Sequence, residues 1–222
     1  MTIVINFSGG KDSSAMLSYI CENWPTANKV CIMADTGWEH KDAIEWSQKI
    51  CAMHGLELNV CRNPNKTFLT MSLKRGKFPG MQTRQCTSDL KRGPIETWIR
   101  RNVKDDEILN AMGMRAEESP GRKKLPMHSI NKTMTNKKRI VWQWYPIHKW
   151  SEEMVRRYLI DKNIPLHPVY NHLKRFSCRM CIYMTQHDRD QVAIHDPEAI
   201  EIIHSIEKQI GFTMFMDGPV VR

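Results

Sequence analysis

The chain has none of the long apolar segments that would place a protein across a membrane. No apolar run in its 222 residues approaches the ~20 residues that a membrane-spanning helix needs. No basic segment precedes the short apolar run at residues 3–7, as it would in a secretory signal peptide. Internal repeats and low-complexity segments are also absent. We therefore expect a globular, cytoplasmic protein with no membrane partner.

The even set of cysteines that is typical of a disulfide-bonded scaffold is lacking too. The chain has seven cysteines, and an odd number in a cytoplasmic protein favours buried thiols together with a metal or redox site. Four lie within apolar helix or strand patterns and are expected in the core: Cys21, Cys31, Cys51 and Cys61. Three lie in polar, basic segments and are the candidates for the site: Cys86, Cys178 and Cys181.

Acidic residues are missing from one stretch of the chain. Residues 121–139 contain seven lysines and arginines but no aspartate or glutamate, and the whole chain has a formal net charge of +9. This balance favours polyanionic partners, such as nucleotides or a nucleic acid (tRNA or DNA), whereas a merely solvated basic segment explains it equally well. We expect a loop or hairpin in this region.

The residues that are present alternate between strand and helix patterns. β-Branched and apolar runs predict five strands, at residues 2–7, 29–34, 56–61, 107–112 and 140–147. Helical spacing predicts helices at residues 13–21, 40–54, 88–101, 152–161 and 197–210. Irregular structure is expected at residues 71–83 and 164–188. Alternation of this kind implies parallel strands with right-handed crossovers, so we predict an α/β fold with a doubly wound, mostly parallel five-stranded sheet.

The turn after the first predicted strand has the composition of an anion-binding loop. It consists of Ser8-Gly9-Gly10-Lys11-Asp12-Ser13. The glycines let the backbone approach a ligand closely, the N–H groups and dipole of the helix that begins here favour an anion, and Lys11 adds a positive charge. A Walker A loop is excluded, because Asp12 follows Gly10-Lys11 and Ile5 stands where that motif has its first glycine. The alternative is a glycine turn that only connects a strand to a helix.

This hexapeptide resembles the PP-loop of the N-type ATP pyrophosphatases and of the phosphoadenylyl-sulfate (PAPS) reductases. Further segments resemble the same family in the same order, over residues 3–182: Asp35-Thr36-Gly37-Trp38-Glu39, Arg84-Gln85-Cys86-Thr87 with Leu90-Lys91 and Pro94-Ile95, Gly113-Met114-Arg115-Ala116-Glu117-Glu118-Ser119 with Arg122, Pro146-Ile147-x-x-Trp150, Pro165-x-x-Pro168-Val169-Tyr170 and Arg175-x-x-Cys178-x-x-Cys181. The chain is thus identified as a member of the PAPS reductase-like family.

The resemblance implies a sheet like that of the adenine nucleotide alpha-hydrolases, with ligands bound beyond the C-terminal ends of the strands. We expect a nucleotide-binding α/β domain at residues 1–165. A small irregular lobe at residues 166–222 carries the Cys-x-x-Cys pair and the last helix, and packs on the first domain as one compact unit.

Three hypotheses remain for the cysteines. The spacing of Cys178 and Cys181 lets two thiolates bind one metal or cluster, and the resemblance to cluster-containing members of the fold makes Cys86 the third ligand. The group would be a 4Fe-4S cluster, a structural Zn²⁺ with His172 or His187 as fourth ligand, or metal-free thiols that include a redox pair. Neighbouring basic residues are expected to lower the pKa values of the thiols; they are Arg84, Lys174, Arg175 and Arg179.

One departure from the family changes the expected reaction. The PAPS and adenylyl-sulfate reductases carry a nucleophilic cysteine in a C-terminal Glu-Cys-Gly segment, whereas the last cysteine here is Cys181. The leading hypothesis is therefore ATP-dependent activation of an acceptor, with release of AMP and pyrophosphate, followed by sulfur transfer from a sulfur donor. The alternatives are reductive release of sulfite from PAPS or adenylyl sulfate with a thiol reductant protein, and nucleotide or nucleic-acid binding without turnover.

Roles for individual residues follow from the resemblance and from charge. The loop at residues 8–13 would hold the pyrophosphate of ATP, and Asp35 and Thr36 would face the nucleotide. A Mg²⁺ ion held by Asp12 would act with Lys11 to offset the charge of the leaving pyrophosphate. Phosphate or the acceptor would be bound by Lys91, Arg115 and Arg122, the first two of which are also assigned to catalysis. Alternatively, Asp12 only caps its helix and the arginines are solvated.

Overall fold

The computed structural model describes residues 1–176 and 178–220. In this part of the chain six strands form one sheet: β1 (Thr2–Asn6), β2 (Asn28–Asp35), β3 (Leu58–Arg62), β4 (Glu107–Met112), β5 (His128–Ile130) and β6 (Ile140–Trp144). Their order is β3-β2-β1-β4-β6-β5. Strand β1 pairs in parallel with β2 and β4, β4 pairs in parallel with β6, and β5 pairs antiparallel to β6.

Helices cover both faces of the sheet. They are α1 (Lys11–Asn23), α2 (Ala43–Ala52), α3 (Phe68–Arg75), α4 (Gln85–Thr87), α5 (Gly93–Asn102), α6 (Pro120–Lys123), α7 (Glu152–Asp161), α8 (Gln186–His195) and α9 (Pro197–Ile210). A π-helical turn at Ser88–Arg92 joins α4 to α5, and short 3-10 segments lie at Ala116–Glu118 and Pro168–Asn171. Within the described ranges, no helix combines the length and the apolar character that crossing a membrane requires.

The predicted α/β fold class is confirmed, and the central strand shows its physical basis. The first four residues of β1, Thr-Ile-Val-Ile, are all fully buried, as expected for a parallel strand covered by helices on both faces. The strand order reverses between β1 and β4. In sheets of this kind ligands bind where the order reverses, at the C-terminal ends of the strands. A ligand site is therefore expected at the loops that follow β1 and β4.

Three details of the prediction are wrong. The sheet has six strands rather than five, because part of the basic segment forms the antiparallel edge strand β5, which confirms the hairpin alternative there. Residues 71–83 are not a loop throughout, since α3 extends to Arg75 from a capping box at Thr67 and Thr70. Residues 164–188 include the 3-10 segment and the start of α8, which Thr185 and Asp188 cap in the same way.

The chain divides into two units whose segments alternate along the sequence. The first unit consists of Met1–Met33, Asp42–Val60 and Glu96–Pro168, and the second of Ala34–Lys41, Cys61–Ile95 and the described residues from Val169 onward. Each unit has its own apolar core. The four cysteines that were expected in the core are buried or packed against it. The division between residues 1–165 and 166–222 stays a prediction.

Gly113 follows β4 and lies against the loop that follows β1. A Cβ atom at this position would lie 3.0 Å from the Asp12 carbonyl oxygen and 3.1 Å from its carbonyl carbon. We expect Gly113→Ala to lower the free energy of unfolding by about 1–3 kcal/mol, because the added methyl group forces two backbone segments apart. Equilibrium unfolding in urea measures the change.

Gly121→Ala is the matched control in the same unit. The nearest atom to its added Cβ would be Ser119 Oγ at 4.0 Å, so the free energy of unfolding should change by less than about 0.5 kcal/mol. If Gly113→Ala were as stable as the wild-type protein, the two backbone segments would not be in close contact.

Candidate functional site

The loop after β1 is closed by the hydroxyl of Ser13. Ser13 Oγ donates to the Gly10 carbonyl oxygen at 2.8 Å, and it accepts from the Ser8 backbone N–H at 3.3 Å and from the Ser8 hydroxyl at 3.2 Å. Gly9 has a φ of +74°, which a residue with a side chain rarely adopts. Because Gly10 supplies no side-chain cap to α1, an anion can take the place that a capping oxygen usually holds.

Lys11 places a buried positive charge at this loop. It is the first residue of α1, and only 5% of it is exposed. Its Nζ lies 3.6 Å from Asp12 Oδ2 and 3.7 Å from Glu152 Oε1, at the start of α7. Lysines are almost never this buried unless they are paired. The two carboxylates therefore hold the ammonium group in place beside the glycines.

Arg115, in the turn after β4, is the second buried cation. Its Nε donates to Asp12 Oδ1 at 2.5 Å and its Nη1 to Glu117 Oε2 at 2.5 Å. Burial by itself would lower the pKa of Arg115, but the charge and hydrogen bond of Asp12 raise it above the usual value. The guanidinium is thus a fixed charge that connects the turn after β4 to the first turn of α1.

Three glutamates complete this network, and the sequence had given them no role in it. Glu117 also accepts from the backbone N–H of Glu152 at 2.7 Å, and Glu118 accepts from the backbone N–H of Arg115 at 2.9 Å and pairs with Arg122. Burial would raise the pKa of Glu152, but Lys11 lowers it below the usual range. From sequence, the position of Glu152 in the first turn of a helix is explained by the helix dipole alone.

The turn after β2 belongs to the second unit. Asp35 Oδ1 accepts from the Gly37 backbone N–H at 2.7 Å, and Asp35 Oδ2 lies 3.3 Å from Arg62 Nη2. Thr36 is only 2% exposed, and its hydroxyl donates to Glu39 Oε1 at 2.8 Å. Both side chains that were expected to face the nucleotide therefore help to shape this turn, and their contact with a nucleotide stays a prediction.

The cysteines Cys86, Cys178 and Cys181 lie in the second unit, and all three pack against its apolar core. Burial raises the pKa of the Cys86 thiol, and the negative charge of Cys181 raises it further. Burial is also the largest cause of the raised pKa of Cys178, to which Glu39 adds, whereas the positive charge of Lys91 opposes the shift in both thiols. The three cysteines therefore share the apolar surroundings of the second core.

The expectation that neighbouring basic residues lower the thiol pKa values is wrong for Cys86 and Cys178. Arg179 binds Asp196 through Nε and Nη2, both at 2.7 Å, and also binds Glu198 at 2.8 Å. The guanidinium of Arg84 lies over the ring of Tyr183, 5.4 Å from its centroid. These charges are directed to other partners, so desolvation determines the pKa shifts of the thiols.

The turn after β2 holds the Cys-x-x-Cys segment through its backbone. Cys178 forms an antiparallel bridge with Glu39, and the Arg179 backbone N–H donates to the Trp38 carbonyl oxygen at 3.0 Å. The indole Nε1 of Trp38 donates to the Met180 carbonyl oxygen at 3.1 Å. Trp38 thus orients the segment between the two cysteines.

Lys91, on the π-helical turn, is placed beside these cysteines. Its Nζ lies 3.3 Å from Glu39 Oε1. Burial would lower the pKa of Lys91, but the negative charges of Cys178 and Glu39 raise it above the usual value. The sequence had given Glu39 no individual role. No local spacing reveals one, because its partners come from distant segments of the chain.

The predicted residues therefore form two groups, one in each unit. The first unit contains the loop at residues 8–13 with Arg115 and Arg122. The second contains Asp35, Thr36 and Lys91 with the three cysteines. The ring of His172, one of the expected fourth ligands for zinc, stacks on His195 with centroids 3.9 Å apart, and His187 lies in α8.

Known proteins resemble this chain at three levels. Residues 2–184 match the family model of the phosphoadenosine phosphosulfate reductase domain. The chain is 26% identical over 196 residues to an uncharacterized 37.8 kDa protein of Escherichia phage 186. The aligned residues cover 87% of the chain and 54% of that relative. It is 27% identical over 195 residues to sulfate adenylyltransferase subunit 2 of Allorhizobium ampelinum, which covers 78% of the chain and 58% of that relative. The chain thus spans little more than half the length of these two relatives.

Two solved structures share the fold. The PAPS reductase from Candida auris, in its phosphate complex, has a TM-score of 0.53 and 15% identity over 76% of each chain. The U34-tRNA thiolase NcsA from Methanococcus maripaludis, with its 4Fe-4S cluster, has a TM-score of 0.52 and 18% identity over 95% of this chain and 72% of the other. At these identities the likeness shows the fold alone, but the family match covers most of the chain. The chain belongs to the phosphoadenosine phosphosulfate reductase domain family.

Proposed function

We propose that the chain is an adenine-nucleotide-dependent sulfur-chemistry enzyme that activates an acceptor with ATP and then exchanges the activated oxygen for sulfur. The observation that carries this proposal is the buried Lys11 at the start of α1, held by Asp12 and Glu152 beside a glycine loop with no side-chain cap. Such a site suits the phosphates of a nucleotide. The similarity to a sulfate adenylyltransferase subunit supports a reaction at the α-phosphorus.

In the first step, an acceptor oxygen attacks the α-phosphorus of ATP. The bond between this phosphorus and pyrophosphate breaks, its electron pair leaves with the pyrophosphate, and the proton of the acceptor passes to solvent. Lys11 offsets the charge that develops on the leaving group. The loop N–H groups and Arg115 hold the phosphates that do not react.

Asp12 suits a Mg²⁺ ion that accompanies the nucleotide. Its Oδ1 is fixed by Arg115, whereas its Oδ2, 3.6 Å from Lys11 Nζ, keeps lone pairs for a metal. The side chain of Asp12 is 22% exposed. A Mg²⁺ ion at this position would neutralise charge on the phosphates of the bound nucleotide.

In the second step, a hydrosulfide-class donor attacks the activated carbon of the acceptor. A carbon–sulfur bond forms, the carbon–oxygen bond breaks, and AMP leaves with the oxygen of the acceptor. The substitution leaves the oxidation state of the carbon unchanged, so no external oxidant or reductant is needed.

The donor set of Cys86, Cys178 and Cys181 fits a 4Fe-4S cluster. The three thiols share one apolar environment. The negative charge of Cys181 raises the pKa of Cys86, and the charges of Cys181 and Cys86 raise the pKa of Cys178. The positive charge of a bound metal group would offset this repulsion, and coordination would deprotonate the thiols outright. If these three thiolates held a cluster, it would supply an iron for a sulfur ligand. The cluster in the structurally similar tRNA thiolase supports this assignment.

Lys11→Ala should weaken ATP binding about 10–100-fold, because a charge-assisted contact to phosphate is lost. Equilibrium dialysis with ATP and Mg²⁺ measures this effect without any acceptor, and chromatography of AMP measures turnover. Lys49→Ala removes the same charge from an exposed position in α2 and should leave both quantities unchanged. Wild-type ATP affinity and AMP formation in Lys11→Ala would contradict the proposal.

Cys86→Ser should abolish the bound iron and the brown visible absorbance of protein that is purified without oxygen. Only two thiolates of the proposed set would remain, and a cluster needs more ligands than that. Cys21→Ser, which changes a thiol of the first core, should keep the iron content of the wild-type protein. A colourless wild-type protein with stoichiometric zinc would replace the cluster with the zinc alternative.

A further inference from the structure

The stretch of chain without acidic residues is longer than the basic segment itself. No aspartate or glutamate occurs from residue 119 to residue 151, a stretch that contains eight lysines and arginines. In the structure, this stretch forms α6, the β5–β6 hairpin and the approach to α7, all in the first unit. Because the hairpin is ordered, its basic side chains form a positively charged surface of defined geometry. A disordered basic tail has no such surface.

Strand β5 lies at the edge of the sheet, and lysines lie at both of its ends. Lys123 and Lys124 precede it, and Lys132, Lys137 and Lys138 follow it in the turn that leads to β6. All five are exposed. In the described part of the chain, no carboxylate lies within ion-pair distance of any of them, as the pairs in this region involve other cations. We name these five lysines, together with β5, the edge strip.

The edge strip also presents aromatic and apolar side chains. His128 and Ile130 of β5 are exposed, and Ile130 is opposite the half-buried Trp142 of β6 in the strand register. The rings of His128 and Trp142 meet edge to face, with centroids 6.4 Å apart. The indole Nε1 of Trp142 donates to Glu107 Oε1 at 3.0 Å, which fixes the orientation of the ring.

One end of the edge strip continues into the nucleotide loop of the same unit. Arg122 in α6 pairs with Glu118, which accepts from the backbone N–H of Arg115. His148 Nε2 lies 2.9 Å from the Arg122 carbonyl oxygen and ties α6 to the segment after β6. A chain of phosphates that follows β5, which spans about 10 Å, would therefore be directed towards the residues around Lys11.

We propose that the edge strip binds the phosphodiester backbone of a single polynucleotide strand. Uncompensated lysines at both ends of a short strand suit successive phosphates, and an oriented tryptophan with a histidine beside it suits a stacked base. The inference names a nucleic acid as the acceptor class of the proposed function and rests on that function for the reaction. Binding to the strip is independent of turnover.

The test compares two triple variants of equal charge. Lys132→Glu/Lys137→Glu/Lys138→Glu alters the strip, and Lys49→Glu/Lys74→Glu/Lys208→Glu alters exposed lysines of α2, α3 and α9. The probes are a labelled RNA and a labelled DNA of one sequence, each about 20 nucleotides, longer than typical single-strand sites. Fluorescence anisotropy without ATP measures their affinity at several salt concentrations, and thermal unfolding checks that each variant folds.

We expect the strip variant to bind the probes at least about 10-fold more weakly than the wild-type protein. The negative slope of log K against log salt should become shallower by about 2, since three phosphate contacts are lost at about 0.7 each. The control variant should stay within about threefold of the wild-type affinity, because its lysines lie outside the strip. The tighter of the two probes identifies the sugar of the partner. Equal losses in both variants, or no binding of either probe by the wild-type protein, would overturn the proposal.

ATP binding separates this inference from the proposed function. The strip variant should keep the ATP affinity of the wild-type protein, and Lys11→Ala should keep the nucleic-acid affinity. If the protein binds ATP but neither probe, the inference about the edge strip is wrong and the proposed function stands. If it binds the probes but not ATP, the proposed function is wrong and the inference about the edge strip stands.

Discussion

The buried guanidinium of Arg115 joins two segments that lie 103 residues apart in the chain, and the geometry of the loop at residues 8–13 depends on this contact. A charge removed from water is costly unless it is paired and hydrogen-bonded, so Arg115 requires Asp12 and Glu117 where they are. Asp12 and Glu152 in turn position the ammonium group of Lys11. The contact is sterically allowed because Gly113 lets the two backbone segments meet.

In the second unit, the cost of burying a charge affects the cysteine thiols. Cys178 and Cys86 are raised in pKa by burial, so in the metal-free protein their thiols favour the protonated form. Glu39 and Lys91 form an ion pair beside them, and Trp38 holds the backbone between Cys178 and Cys181. The proposed metal site rests on this shared environment of the three cysteines and on the Lys91 side chain beside them.

Much of the fold could be predicted, because its determinants are local. Buried β-branched runs such as Thr2 to Asn6 identify the parallel strands. The composition of the loop at residues 8–13 predicts an anion site, and this stays a prediction. For the basic segment the sequence predicted a loop or hairpin but placed no strand at particular residues, because three residues such as those of β5 carry no recognisable period-two pattern. The contacts of Lys11 with Glu152 and of Lys91 with Glu39 could not be predicted from the sequence. They join side chains from distant segments, and only tertiary packing brings those segments together.

The central claim is that the loop at residues 8–13 serves activation by ATP rather than reduction of a sulfonucleotide. Parallel incubation of the protein with ATP, PAPS and adenylyl sulfate, each with hydrosulfide, thioredoxin and a mixture of tRNA and DNA, tests it most directly. Our account predicts AMP and pyrophosphate from ATP, sulfur in the nucleic acid, and no sulfite from either sulfonucleotide. Sulfite released from PAPS or adenylyl sulfate, with ATP left intact, would contradict it.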